Sequence, residues 1–242
     1  MKKINLKKLG LASLLLAIGS QAMAVTDDGT HLWVGNSGSN ESYTTTNTKN
    51  VSISTVIGEV GGTGIMNDSF GINTFDLIIG QGAYGVNTMG TLNMSNSTSS
   101  YSHGFWIANN YGQFDGTKTI GTLNMNNATI NNGLEATFGW SQSDGHQNDV
   151  IANINMIDSK LNVRGFIAGQ VARANFDLTN SEINALNMTY GEFGVVNMDL
   201  KSSSLVASDF ISFGRVNGNV NVNLASSTIS ANEINIGSSG ST

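Results

Sequence analysis

The chain repeats itself, and the period is too short for anything larger than a turn of small strands. Asn87–Met94 reads NTMGTLNM, and Lys118–Met125 reads KTIGTLNM 31 residues later. The signature is an apolar residue, then Asn or Asp, then a second apolar residue. It recurs as Leu92-Asn93-Met94, Leu123-Asn124-Met125, Ile154-Asn155-Met156, Phe176-Asp177-Leu178, Met198-Asp199-Leu200 and Val222-Asn223-Leu224. Between successive second apolar residues the steps are 31, 31, 22, 22 and 24 residues. A second column lies five residues on, at Ser99, Ile130, Leu161, Ile183, Leu205 and Ile229, and only its first member is not aliphatic. A third holds Ala108, Gly139, Gly169, Gly191, Gly214 and Gly237, preceded by Ile107, Phe138, Ala168, Tyr190, Phe213 and Ile236. Met66 with Ile79-Gly80 fits as an earlier copy, which brings the number to seven.

Each copy holds three short alternations of apolar and polar residues, the mark of strands with one buried face. Three strands in about 22 residues leave no space for a crossover helix. The fold class is therefore all-β: a parallel β-helix, or β-solenoid, of about seven coils of three short strands, preceded by an N-terminal capping segment. Coils stack at the ~4.8 Å strand spacing, so equivalent residues form ladders. Met94, Met125, Met156, Leu178, Leu200 and Leu224 form an inward column. Asn93, Asn124, Asn155, Asp177, Asp199 and Asn223 form the outward one. Asp177 above Asp199 reads as two solvated carboxylates or, alternatively, as a pair with a cation between them.

Composition agrees. Among 242 residues there are 32 Asn and 29 Gly but no Pro and no Cys, and only 12% are charged. Strands paired above and below cannot lose an N–H to Pro, and Asn ladders hydrogen-bond along a stack. The absence of Cys excludes a disulfide scaffold, a Cys-based zinc module and a cysteine nucleophile.

Residues 1–24 read as an export signal rather than structure. Lys2, Lys3, Lys7 and Lys8 precede an apolar stretch from Leu9 to Ile18, and Ala22-Met23-Ala24 supplies small residues for cleavage after Ala24. That stretch is too short to cross a bilayer, and no other apolar run approaches ~20 residues. Removing it leaves 7 basic and 17 acidic residues, a net charge of −10, with no basic cluster. A nucleic-acid partner is disfavoured. The expected organisation is a signal peptide at 1–24, a solenoid cap at 25–63 that includes Trp33, Tyr43, Val51, Ile53, Val56 and Ile57, and repeats over 64–242.

The GTLNM-type strands, the Ser/Thr/Asn-rich turns and the basic signal resemble the passenger segments of bacterial autotransporters, over about Gly64 to Thr242. The resemblance implies a right-handed parallel β-helix displayed at the cell surface. It also implies an adhesive role toward a host-cell protein, a glycan or other copies of itself, and a parent anchored by a C-terminal outer-membrane barrel. No barrel pattern of alternating ~10-residue strands occurs here, and the sequence stops inside a copy, so a fragment or truncated product is expected.

Signals for chemistry are sparse. Asp115, Asp144 and Asp149 read as loop acids, without the paired carboxylates facing one cleft that a glycosidase requires. His31, His103 and His146 lack metal-ligand spacing. No GxSxG elbow or phosphate loop occurs. The expectation is a non-enzyme with no metal and no cofactor. The alternatives are a carbohydrate-active β-helix or a free extracellular repeat protein. The step lengths are more informative, because the first copies carry extra residues at one corner, at Gln81–Met89, Asn109–Thr119 and Trp140–Val150. These inserts hold Tyr84, Tyr111, Phe114, Asp115, Trp140, Asp144 and His146, the expected ligand-binding residues, since loops at one corner of stacked coils are spatial neighbours and exposed aromatics suit sugar rings and protein anchors.

Overall fold

A computed structural model describes residues 25–83, 86–111, 117–142 and 149–237. The predicted signal at 1–24 lies outside them, as do Tyr84, Phe114, Asp115, Asp144 and His146. The chain is a parallel β-solenoid, and each full coil lays down strands on three faces. A typical coil consists of Thr119–Asn126 on the first face, Thr129–Asn132 on the second and Glu135–Ser141 on the third. Among the described residues, eight strands stack in parallel on the first face, from Asn40–Thr44 to Asn219–Ala225. The second and third faces belong to one 16-stranded sheet, because the 11-residue strands Lys49–Glu59 and Ile72–Gly82 run through both.

The three predicted columns are present in register. Met94, Met125, Met156, Leu178, Leu200 and Leu224 are successive Cα partners. The first five are at most 2% exposed. Leu224 departs from the expected burial and is 48% exposed, because no described strand pairs with the outer edge of Asn219–Ala225. Val222, Ile234 and Ile236 of the same coil are exposed for the same reason. The second column pairs Ser99 with Ile130 and continues to Ile229. Ser99 keeps its polar side chain because its Oγ accepts the backbone N–H of Ile72 at 2.9 Å inside the core.

The earlier copy is shifted from its predicted place. Met66 pairs with Leu92, and the partner of Met94 is Asp68. Asp68 points inward and is 1% exposed. Its carboxylate accepts the Thr45 hydroxyl at 2.8 Å and the Gly71 N–H at 3.0 Å, so the burial is compensated. An acid at the anchor position made the apolar match slide by two residues. Parallel stacking also extends into the segment expected to act as a cap. His31–Val34 pairs with Lys49–Glu59, Asn40–Thr44 pairs with Thr63–Asp68, and Val51, Val56 and Ile57 are core residues. Val25–Asp27 runs antiparallel against His31–Val34.

Inside, residues one and three places before the glycine column build an aromatic spine. Phe138 lies 5.5 Å from Phe105 and 4.8 Å from Phe166, followed by Tyr190 at 5.1 Å and then Phe213 at 5.2 Å (ring centroids). Size alternates so that the rings fit. Phe105 and Phe166 flank Ala136, and Phe138 sits between Ile107 and Ala168. This is the interdigitation that dense cores need. Burial pushes the Tyr190 hydroxyl well above the usual tyrosine range, and it donates to the Met188 sulfur at 3.3 Å.

Polar ladders hold the outside. Along the first face, Asn155 Nδ2 donates to Asn124, Asn124 to Asn93 and Asn93 to Asn67, at 2.7–2.8 Å. A second run links Asn221, Asn197, Asn175 and Asn153 at 2.9–3.0 Å. After each of the six first-face strands from Thr88–Ser95 onward the chain turns through a left-handed residue: Asn96, Asn127, Asp158, Asn180, Ser202 and Ser226 have φ between 48° and 52°. Asn and Asp tolerate that conformation best among residues with a Cβ.

The next position carries a serine ladder that the repeat signature did not reveal. From Ser159 through Ser181 and Ser203 to Ser227, each hydroxyl donates to the carbonyl two residues back in its own coil, as Ser181 does to Thr179 at 2.8 Å. It also accepts an N–H from the preceding coil. Ser159 N–H reaches Ser181 Oγ, Ser181 N–H reaches Ser203 Oγ and Ser203 N–H reaches Ser227 Oγ, at 3.0–3.1 Å. Ser159, Ser181 and Ser203 are 4–5% exposed, so losing the Ser181 hydroxyl strands the buried Ser159 N–H, while the Thr179 carbonyl keeps the Asp158 N–H at 3.1 Å. Ser181→Ala is expected to cost about 1–3 kcal/mol. In a thermal melt that is a fall of several °C, at roughly 2–4 °C per kcal/mol for a chain of this size. An unchanged melting temperature would show that the ladder does not contribute.

Candidate functional site

The inserts leave the coil immediately after the glycine column. Gly80, Gly139, Gly169, Gly191, Gly214 and Gly237 have φ of 68–75°, and Ala108 has φ 54°. The chain turns left-handed there. In the three coils with inserts it then resumes pairing, Gln81 with Asn109 with Trp140 and Gly82 with Asn110 with Ser141. Two residues of each insert thus prolong the third-face strand before the loop departs. The bases of the inserts are tied together. Asn110 Nδ2 donates to Thr119 Oγ1 at 2.7 Å, Lys118 N–H to Asn87 Oδ1 at 2.7 Å, and Thr119 N–H to the Asp149 carbonyl at 2.8 Å.

Of the seven predicted binding residues, Tyr111 and Trp140 are described, and the stack brings them together. Their rings lie 5.1 Å apart at 55°. Tyr111 is 53% exposed, and its hydroxyl accepts from Asn109 Nδ2 at 2.9 Å. The rest of that set lies outside the described residues. The corner therefore presents a tilted aromatic pair from two successive coils, on bases fixed by side-chain and backbone hydrogen bonds.

The stacked acids have a resident cation. Lys201 Nζ lies 2.9 Å from Asp199 and 3.5 Å from Asp177. Hydrogen bonding to Asp199, then the charge of Asp177, raises the lysine pKa. The three side chains are 40–60% exposed, so solvent screens the pair and it serves mainly to neutralise like charges in one ladder. No group of three or more His, Asp or Glu side chains among the described residues is placed to hold a metal ion, and no helix there is long and apolar enough to cross a membrane.

Sequence reasoning missed a second aromatic surface. Phe75 and His103 stack at 4.5 Å, and Trp106 follows at 6.4 Å from His103. These residues sit where the second face turns into the third, one corner before the inserts. The signal was available: His103, Leu134, Arg164 and Leu186 fall eight or nine residues after their anchors and so form one column.

Compared with protein-family models, with curated proteins and with solved structures, the chain matches none of them.

Proposed function

We propose that this chain is an exported, non-catalytic adhesive stalk of the autotransporter passenger kind. It would act at the surface of the cell that secretes it, toward a host-cell protein or glycan or toward other copies of itself. In this reading residues 1–24 direct export across the inner membrane, and a longer parent supplies outer-membrane anchoring. The observation that supports adhesion is the pairing of Tyr111 and Trp140 on neighbouring coils of a rigid stack. Long loops on a regular coil cost ordering entropy, and the later copies close the same turn without them. Rigid aromatics on a fixed scaffold bind with little further entropy loss.

The test is to shorten Asn109–Thr119 and Trp140–Val150 to the length found in the later copies. The shortened protein is expected to fold, because the coils from Arg173 onward stack with the same register without inserts. Its circular dichroism should stay that of a β-protein while adhesion to host cells, abiotic surfaces or sister cells falls. Retention of full adhesion by a folded shortened protein would overturn the assignment of the corner.

A further inference from the structure

We propose that the corner between the second and third faces is a carbohydrate-binding groove that takes a hexopyranose glycan along the solenoid axis. The groove has a volume of about 450 Å³, within the roughly 300–1,000 Å³ typical of small-molecule sites. It spans four coils, from His103 to Asn187. At ~4.8 Å per coil this gives about 14 Å of length, suited to a short oligosaccharide rather than a single ring.

Its construction is specific. Trp106 lies across Gly104 so closely that a Cβ there would meet the indole Cη2 at 1.7 Å. Glycine is therefore what lets the indole lie down on the strand. Behind it, His103 stacks flat on Phe75, at 5° between ring planes, and its Nδ1 is 2.9 Å from Asp76 Oδ1. The same carboxylate oxygen accepts the Gly104 N–H at 2.8 Å, which fixes the turn. The next three coils contribute Glu135, Arg164 and Asn187. Glu135, Gly165 and Asn187 are successive Cα partners, and the missing side chain at Gly165 opens the floor between the two polar ones. Among the described residues neither Arg164 nor Glu135 has a side-chain ion pair that would occupy it.

An apolar aromatic face at one end, followed by planar carboxylate, guanidinium and amide groups, is the chemistry that meets a pyranose. The C–H face of the sugar packs on the indole, and paired hydroxyls engage the forked donors and acceptors. The local charges balance, one Arg against one Glu, which suits a neutral ligand better than a polyanion.

This site is separate from the insert corner and does not depend on the adhesive reading. The probe is a glycan array of neutral hexopyranose oligosaccharides, read with the full chain and four variants. Wild type is expected to retain a subset of glycans. Trp106→Ala and Arg164→Ala are expected to weaken that binding roughly tenfold or more. Glu135→Gln removes an exposed charge without removing side-chain volume, so its loss of binding cannot be ascribed to misfolding. Trp140→Ala, at the other corner, reports any glycan held there instead. No array binding by wild type overturns the proposal, as does binding that survives both Arg164→Ala and Glu135→Gln. Binding lost with Trp140→Ala but kept with Trp106→Ala would place the glycan at the insert corner instead, and also overturns it.

Discussion

Leu178→Asp is expected to break the solenoid in the middle. Leu178 is fully buried in the inward column. Truncating a core Leu costs about 2–5 kcal/mol, and burying an unpaired carboxylate adds several more. Together these approach the total stability of an ordinary domain, about 5–15 kcal/mol. In a stack held by nearest-neighbour contacts, loss of one coil also uncouples the coils on either side. The expected result is loss of the cooperative melt and rapid proteolysis within Arg173–Lys201. Leu224→Asp supplies the contrast, because Leu224 occupies the same column but is 48% exposed. That variant should change stability by less than about 1 kcal/mol. Equal damage from both would mean that chemistry rather than stacking burial sets the cost.

Gly90→Ala is the second large effect. A Cβ at Gly90 would lie 2.0 Å from the Ile57 carbonyl oxygen and 2.4 Å from the Gly80 nitrogen. Both are backbone atoms of other strands and cannot rotate away. Overpacking typically costs about 1–3 kcal/mol, and an obstruction made of backbone places Gly90→Ala at the upper end of that range. Gly64 and Gly121 occupy the same column with the same obstruction, whereas Ala152, Ala174, Val196 and Val220 follow in it. In the short later coils the tight approach has moved to Gly194 and Gly218, whose Cβ atoms would meet the Gly169 and Gly191 carbonyls. Ala152→Gly, a change in the opposite direction within the column, should therefore cost only about 1 kcal/mol. Denaturant midpoints for the two variants should separate clearly; similar midpoints would contradict the close approach.

The repeat made the architecture legible because stacking converts sequence spacing directly into spatial register. Every member of the Met94–Leu224 column was placed by counting alone. Counting failed where a coil satisfied its geometry with different chemistry. Asp68 fills an apolar seat by recruiting Thr45 and Gly71; Ser99, which counting did place, fills another by capping Ile72. Such compensation depends on partners in other coils, and no local pattern announces it. Lys201 bridging Asp177 and Asp199 is similar, since it reaches across from the end of its own strand. For the insert corner, step lengths brought Tyr111 and Trp140 together correctly. The groove around Trp106 was missed because Phe75, His103, Glu135, Arg164 and Asn187 share a place but no residue type, so only alignment of the copies by register, not by identity, reveals it.

Register between coils is the claim on which the ladders, the insert corner and the groove all rest, and disulfide trapping tests it directly. The chain contains no Cys, so engineered pairs report without background. Asn124 and Asn155 are Cα partners on neighbouring coils, both on the outward side of the first face. Directly opposed parallel residues are ~4.8 Å apart, inside the ~4.4–6.8 Å that a disulfide spans. Asn124 and Asn153 are displaced by two positions, which puts them roughly 8 Å apart and out of reach. The stacking predicts that Asn124→Cys with Asn155→Cys cross-links under mild oxidation within a folded monomer, and that Asn124→Cys with Asn153→Cys does not. Ready cross-linking of the displaced pair, with none in the opposed one, would contradict the register and the solenoid built on it.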